Sequence, residues 1–488
     1  MANMFSPLHA AFDECTTNTG DSRAIPGFIP QLDSFPDDEL FDLIVAGFGP
    51  AALAIAIALH DSLEQSNGNG ITGRQPRVLF LEKQASFAWH AGMLIPGAKM
   101  QISFIKDMAT LRNPLSKFTF LNYLHNNKRM VEFSNLNTFL PTREEFEDYL
   151  GWCACHFQDV VRYGEKVESI IPPDRLSSTL DHLTVQSRSE SGEMFTRRAK
   201  HVVVAIGGYP DIPQPFKSSP HSRYIHSSQY NHNIAKYLPD PKAAYSVAVV
   251  GGGQSAAEIF HDLHARYPAS KTCLLLRGSA LRPSDDSPFV NEIFDPDRIA
   301  RFFDSPSDVR AAIRNSNRNT NYGVVRQELL EELYATMFLQ RINTGVDQDA
   351  WQHRIMRGTR IHHVDFADPG RLAIDLEYAS DVASHPTRQT VPFDLVIFAT
   401  GYRHDGYQKL LEPLTEVFGP TDQWAKASKD YRVLLPGSAR NDCGVWLQGC
   451  NEATHGLADT LLSGLAVRGG QLVQSIFGES QKPAQARL

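Results

Sequence analysis

The chain has 488 residues, 42% of them hydrophobic and 21% charged, with a formal net charge of −8 at pH 7. That length allows two or three domains, each able to bury a core, while the acidic balance excludes a basic field for nucleic acid or a polybasic membrane patch. No run of 18 apolar residues marks a transmembrane helix, and the six scattered cysteines suit neither a disulfide framework nor a zinc site. In chain order, residues 1–37 are rich in Pro, Asp, Ser and Thr without a sustained period and read as a loose extension with no secretory signal. Folding begins near Leu40. The apolar run 42–46 reads as a buried parallel strand running into the turn Gly47-Phe48-Gly49-Pro50-Ala51-Ala52, which opens a helix. Its glycines let the backbone turn tightly and approach a pyrophosphate at the helix N-terminus. A polar loop, 66–70, separates this helix from the strand 77–81, which ends in Glu82, a carboxylate suited to the ribose diol of FAD.

Residues 143–158 read as a helix, followed by the strands 165–170 and 201–206, the latter ending in Gly207-Gly208 and Pro210 as a hinge between domains. The apolar run 246–250 then repeats the strand pattern and meets a second turn, Gly251-Gly252-Gly253-Gln254-Ser255-Ala256. The next strand, 272–276, ends in Arg277, whose planar guanidinium suits the 2′-phosphate of NADPH. Helical periodicity dominates 297–314 and 324–341, strands return at 362–366, 372–376 and 393–398, and a last long helix spans about Asp459 to Phe477. The fold class is therefore α/β, with two Rossmann-like dinucleotide-binding domains, for FAD and NADPH, and a smaller helical insertion, to which the resemblance described below gives the substrate. The divisions are a flexible extension (1–37), an FAD-binding domain (38–213 and 394–478), an NADPH-binding domain (214–288 and 350–393), a helical insertion (289–349), substrate-binding by the resemblance described next, and a C-terminal tail (479–488).

Ala399-Thr400-Gly401-Tyr402 after an apolar strand, the two glycine turns and His226-Ser227-x-x-Tyr230 together resemble the flavin-dependent monooxygenases that use FAD and NADPH. Within that group, residues 100–108, Asn291-Glu292-Ile293-Phe294, Asn321-Tyr322 and the segment 455–463 resemble the N-hydroxylating branch, and in it the ornithine N5-hydroxylases of siderophore biosynthesis. The likeness runs from about Phe41 to Phe477. Pro220 and Ser222 stand where the monooxygenase fingerprint has an aromatic residue and a glycine, and Tyr407 where a His or Pro is usual, departures that argue against a Baeyer-Villiger enzyme.

The resemblance implies N5-hydroxylation of L-ornithine by O2, through a C4a-hydroperoxyflavin, with no side chain as acid or base and no metal. It places Gly47, Gly49, Pro50, Ala51, Glu82, Lys83, Trp89, His90, Gln101, Val167, Thr460, Leu461 and Leu462 around FAD. It places Gly251, Gly253, Gln254, Ser255, Arg277 and Asn321 around NADPH, and Lys106, Asn291, Glu292, Ile293, Phe294, Asn321 and Ser463 around ornithine. Met100 reads either as a flavin neighbour or as core packing. Lysine differs from ornithine by one methylene, so an L-lysine N6-hydroxylase is the alternative of the same class; an inactive flavoprotein acting as a redox-sensing or scaffold partner is the alternative of another. A disulfide reductase of similar architecture needs Cys-x-x-Cys, which is absent. The family likeness also implies a homo-oligomer, commonly a tetramer. The expected location is the cytoplasm, with the peroxisome as the alternative because Ala486-Arg487-Leu488 has the small-basic-leucine form of a peroxisomal address.

Overall fold

The computed structural model describes residues 25, 27–66, 74–173, 180–218, 222–367, 370–379, 386–435 and 443–478. The loop 67–70 and the tail 479–488 with its terminal tripeptide lie outside the described residues. Two open sheets organise the chain. The first runs in the order Val161–Arg162, Val78–Leu81, Leu40–Ala46, Met194–Val204, Leu183–Ser189, Glu165–Ile171, with Gly444–Leu447 also paired to Met194–Val204. Its pairings are parallel from Val161–Arg162 across to Gly444–Leu447, whereas Glu165–Ile171 and Leu183–Ser189 extend it as an antiparallel hairpin. Val78–Leu81, Gly444–Leu447 and the ends Leu43–Ala46 and Val202–Val204 of the two strands between them are continuous apolar runs, as befits parallel strands buried on both faces; helix Pro50–Gln65 packs against Leu465–Phe477 on one of those faces.

The second sheet is wholly parallel, in the order His353–Met356, Lys271–Leu275, Ser246–Val250, Leu395–Phe398, Tyr224–His226. A separate antiparallel sheet, Arg360–Ala367, Arg371–Tyr378, Thr387–Phe393, packs its inner face, including Leu372, Ile374 and Leu376, against it. The chain crosses between the two large units at Tyr209–Pro210 and at Tyr402–Arg403, and these two crossings pair with each other as short antiparallel strands.

Four expectations are corrected. Residues 1–37 are not all a loose extension: Ile25 and Leu32 are buried in the first core, Phe28 stacks on His60 at 5.0 Å between ring centroids, and Asp37 pairs with the buried Arg197. Strand 395–398 belongs to the second sheet, between 246–250 and 224–226, rather than to the first domain, so the return to the first unit comes after residue 398. The last helix begins at Leu465; ahead of it Gly456 takes a positive φ of 84°, Leu461 is extended, and two 3-10 turns occupy 457–460 and 462–464. The helical insertion also divides. Pro296–Asp304 and Ser307–Asn317 lie on Glu452–His455, with Arg314 paired to Glu452, whereas Gln327–Thr344 packs on helix Gln254–Arg266 of the second unit through Leu329, Leu330, Leu333 and Met337.

Candidate functional site

Each glycine turn sits where its sheet reverses strand order, the crevice in which open α/β sheets bind ligands. At the first, Gly47 has φ of +98° and donates its N–H to Leu81 O at 2.8 Å; a Cβ there would stand 2.5 Å from Ala205 O. At the second, Gly251 has φ of +152°, and a Cβ would stand 2.4 Å from Ala399 O. Both positions therefore demand glycine. The helices that follow, Pro50–Gln65 and Gln254–Arg266, have Gly49 and Gly253 as N-caps and no side-chain cap, which leaves their first N–H groups directed at open space. That geometry fits two pyrophosphates.

Both turns open onto one cleft of about 1920 Å³. Every residue expected at FAD lines it: Gly47, Gly49, Pro50 and Ala51 at the turn, Glu82, Lys83 and Val167 beside it, Trp89, His90 and Gln101 on the facing wall, and Thr460, Leu461 and Leu462 from the C-terminal segment. Glu82 is buried and held by two backbone donors, Phe48 N at 2.7 Å, in the turn, and Gln84 N at 2.9 Å, and each carboxylate oxygen keeps acceptor capacity where it lines the cleft. The residues expected at NADPH also line the cleft, namely Gly251, Gly253, Gln254, Ser255, Arg277 and Asn321. Arg277 is exposed at the end of its strand and is joined on the same wall by Arg282 and Arg360.

The expected ornithine residues are less gathered. Asn321 lines the cleft, but Lys106, Asn291, Glu292, Ile293, Phe294 and Ser463 lie outside its lining. The turn Glu292–Phe294 packs against Leu457–Thr460, whose Asp459 and Thr460 line the cleft. Glu292 is paired with Arg298, and Asn291 donates its amide to Asp286 O at 2.8 Å. Among the described residues the Lys106 ammonium has no partner, and the buried Ser463 hydroxyl has none either. Met100 is buried in the first core.

The motif His226-Ser227-x-x-Tyr230 positions the backbone. His226 Nδ1 accepts from Ser228 N at 3.1 Å, which leaves Nε2–H to donate to Gly401 O at 3.0 Å, so the neutral ring ties the second sheet to the chain crossing. Tyr230 is buried and donates to Asp262 at 2.5 Å.

Several cleft features carry no local sequence signal. His90 adopts φ of 47° and opens to the cleft, yet desolvation, with Arg143 and His226 nearby, holds its imidazole down at about 4, so it is neutral at pH 7. Beneath it the buried Glu147 accepts from Trp89 N at 2.9 Å, and burial pushes its carboxyl up to about 8. Asp459 and Arg468, both buried, are joined at 2.7 Å, and Asp459 also accepts from Asn451 N at 2.6 Å, which fixes the non-helical path of 457–464. Arg468 is the one charged residue of helix 465–477.

The family described as L-lysine 6-monooxygenase/L-ornithine 5-monooxygenase matches residues 39–404. The chain is 48% identical over 501 aligned residues to an L-ornithine N(5)-monooxygenase of Cochliobolus heterostrophus, covering 98% of this chain and 94% of the relative. Among solved structures, the ornithine hydroxylase PvdA from Pseudomonas aeruginosa superposes with a TM-score of 0.79 at 38% identity, covering 90% of this chain and 99% of that one. The Kutzneria sp. 744 ornithine N-hydroxylase KtzI, solved with reduced FAD, NADP+ and L-ornithine, gives 0.78 at 32% identity, with 90% and 99% covered.

Proposed function

The chain belongs to the L-lysine 6-monooxygenase/L-ornithine 5-monooxygenase family, and we infer from that membership that it is a flavin-dependent L-ornithine N5-monooxygenase. The net reaction converts L-ornithine, O2, NADPH and a proton into N5-hydroxyornithine, water and NADP+. Its hydroxylamine product serves hydroxamate siderophore assembly, the role the family implies. The observation that carries the reading is the pair of uncapped glycine turns facing one cleft, which gives two dinucleotides adjoining sites in one space. FAD, reduced by NADPH, supplies the oxygen-activating chemistry. Feeding 18O2 tests the assignment: N5-hydroxyornithine should carry one labelled oxygen, and unlabelled ornithine recovered beside labelled peroxide would contradict it.

The chain's own residues bind, orient and shield. Glu82 is placed to accept from a ribose diol, and Arg277 to pair with a 2′-phosphate. Neutral His90 can donate or accept a hydrogen bond without adding charge beside the flavin. We place the ornithine α-carboxylate on Lys106 and its zwitterionic end between the amides of Asn291 and Asn321, with Glu292, Ile293, Phe294 and Ser463 around the chain. The unpartnered Lys106 ammonium and the packing of 292–294 behind the cleft support this arrangement. A free aliphatic ammonium titrates at about 10.4, so the site must favour the amine's neutral form by desolvation or accept its proton before oxygen transfer.

We also propose a homo-oligomer, of tetramer size by family likeness, that uses helix Gln327–Thr344. Tyr334, Phe338, Leu339, Ile342 and the adjoining Val346 are all more than half exposed on its outer side. Antiparallel pairing of two copies about Thr336 would set Tyr334 on Phe338 and Glu331 against Arg341, which makes a second copy the complementary occupant. The proposed location is the cytoplasm, supported by five free cysteines among the described residues; a fluorescent fusion that leaves Ala486-Arg487-Leu488 terminal should be diffuse, and puncta would point to the peroxisome.

A further inference from the structure

One buried ion pair joins the two nucleotide units at the cleft, and the reaction as described gives it no task. Arg143, the first residue of helix Arg143–Ala154 in the first unit, reaches Glu258 on helix Gln254–Arg266 of the second through both guanidinium nitrogens, at 2.7 and 2.8 Å. The two side chains are 13% and 9% exposed. A cation in the first turn of a helix is unfavourable with the helix dipole, so Arg143 is not there to stabilise its own helix. Arg143 also donates to Met93 O at 3.3 Å, which anchors it to the loop that follows His90.

Glu258 has a second load. Its Oε1 accepts from Gln254 Nε2 at 2.8 Å, one helical turn back, and Gln254 Oε1 in turn accepts from Arg326 N at 2.8 Å. Gln254 is the first residue of the helix at the second glycine turn, and both it and Arg143 line the cleft. One carboxylate therefore fixes a side chain on the flavin wall and a side chain at the NADPH turn, and through Gln254 it holds the N-cap of helix Gln327–Thr344. Both of its oxygens are engaged, and bidentate geometry sets orientation as well as distance.

We propose that Glu258 is a positioning residue for hydride delivery: by clamping Arg143 to Gln254 it sets the register between the NADPH turn and the flavin wall. Hydride transfer depends on near-attack geometry, and a misplacement of about 1 Å can cost on the order of 100-fold. The inference rests on the cofactor assignment above but not on the identity of the amine, since flavin reduction is followed with no amine present.

The test uses full-length FAD-loaded enzyme with Glu258→Gln, which keeps the shape and removes the charge, and Arg143→Lys, which keeps the charge and removes the fork. Anaerobic flavin reduction by NADPH, per bound FAD, should slow at least tenfold in each. The dissociation constant of NADP+ by calorimetry should rise in each, and the double variant should be no slower than the worse single one, as expected of residues acting as one unit. Reoxidation of dithionite-reduced enzyme by O2 should stay near wild type. Wild-type reduction rates per bound flavin, with any loss confined to FAD content or melting temperature, would show a merely structural brace and overturn the proposal; so would additive losses in the double variant. If Glu258→Gln fails to fold, Arg143→Lys decides the question alone by the same readouts.

Discussion

At the scale of single residues, the cleft is set by groups whose charge state depends on burial. Glu147 is the clearest. Its folded carboxyl titrates at about 8 against an ordinary 4.5, so between those values the folded state holds a proton that the unfolded state has released. Stability from this group is therefore present below about pH 4.5 and is lost as pH rises toward 8. Glu147→Gln should flatten that part of the stability-versus-pH curve and raise the melting temperature above pH 8 relative to wild type; parallel curves would mean that Glu147 ionises freely in the fold. Arg277→Ala should lower the preference for NADPH over NADH by tenfold or more, the scale of about 1.5 to 3 kcal/mol for a hydrogen bond to a charged group. An unchanged ratio of kcat/KM values would give the 2′-phosphate to Arg282 or Arg360. Lys106→Ala should raise the KM for ornithine while leaving flavin reduction by NADPH intact, and normal ornithine saturation would remove Lys106 from the site. The glycines, Glu82 and Arg277 were legible in the sequence because each has a fixed place relative to a strand end. Glu147, Arg468 and the Arg143–Glu258 pair were not, since their meaning lies in partners up to 115 residues away.

Among secondary-structure elements, the strand, turn and helix units around residues 42–52 and 246–256 were readable because apolar runs and glycines punctuate them without competition. Elements fixed by tertiary hydrogen bonds were not. The segment 457–464 has helical composition, yet Asp459 is held by Asn451 N and Arg468, and Gly456 and Leu461 leave helical space, so the helix starts late. Strand 395–398 looks like a return to the first domain by chain order, but Asp394 accepts from Ser246 N at 2.7 Å and steers it into the second sheet. The two glycines of the first turn separate folding from binding. A Cβ on Gly47 would collide with Ala205 O, whereas one on Gly49 meets nothing within 4 Å. Gly49→Ala should therefore fold with a near-normal melting temperature for its apoprotein and purify with little FAD, while Gly47→Ala should lose stability as well. Full flavin absorbance in purified Gly49→Ala would show that the pyrophosphate does not approach this position. On helix 327–344, Phe338→Glu should lower the assembly size seen by light scattering; an unchanged mass would place the oligomer contact elsewhere.

For the whole molecule, two parallel sheets carry one nucleotide turn each, and paired crossings at 209–210 and 402–403 hold the turns toward a common cleft. That division into two nucleotide units was visible from sequence, since the second turn repeats the first about 200 residues on. The anchoring of residues 25–37 on the first core was not, because Ile25, Phe28 and Leu32 follow neither helical nor strand periodicity among Pro26, Gly27 and Pro30, and their value shows only when His60 and Phe118 are beside them. The most direct measurement is hydroxylamine formed per NADPH consumed by purified enzyme with FAD and O2, compared for L-ornithine, L-lysine and no amine. Product from ornithine at near one per NADPH, with lysine giving peroxide instead, is the expected result. NADPH loss that yields only peroxide with both amines, or equal hydroxylation of lysine, would contradict ornithine N5-hydroxylation as the function of this cleft.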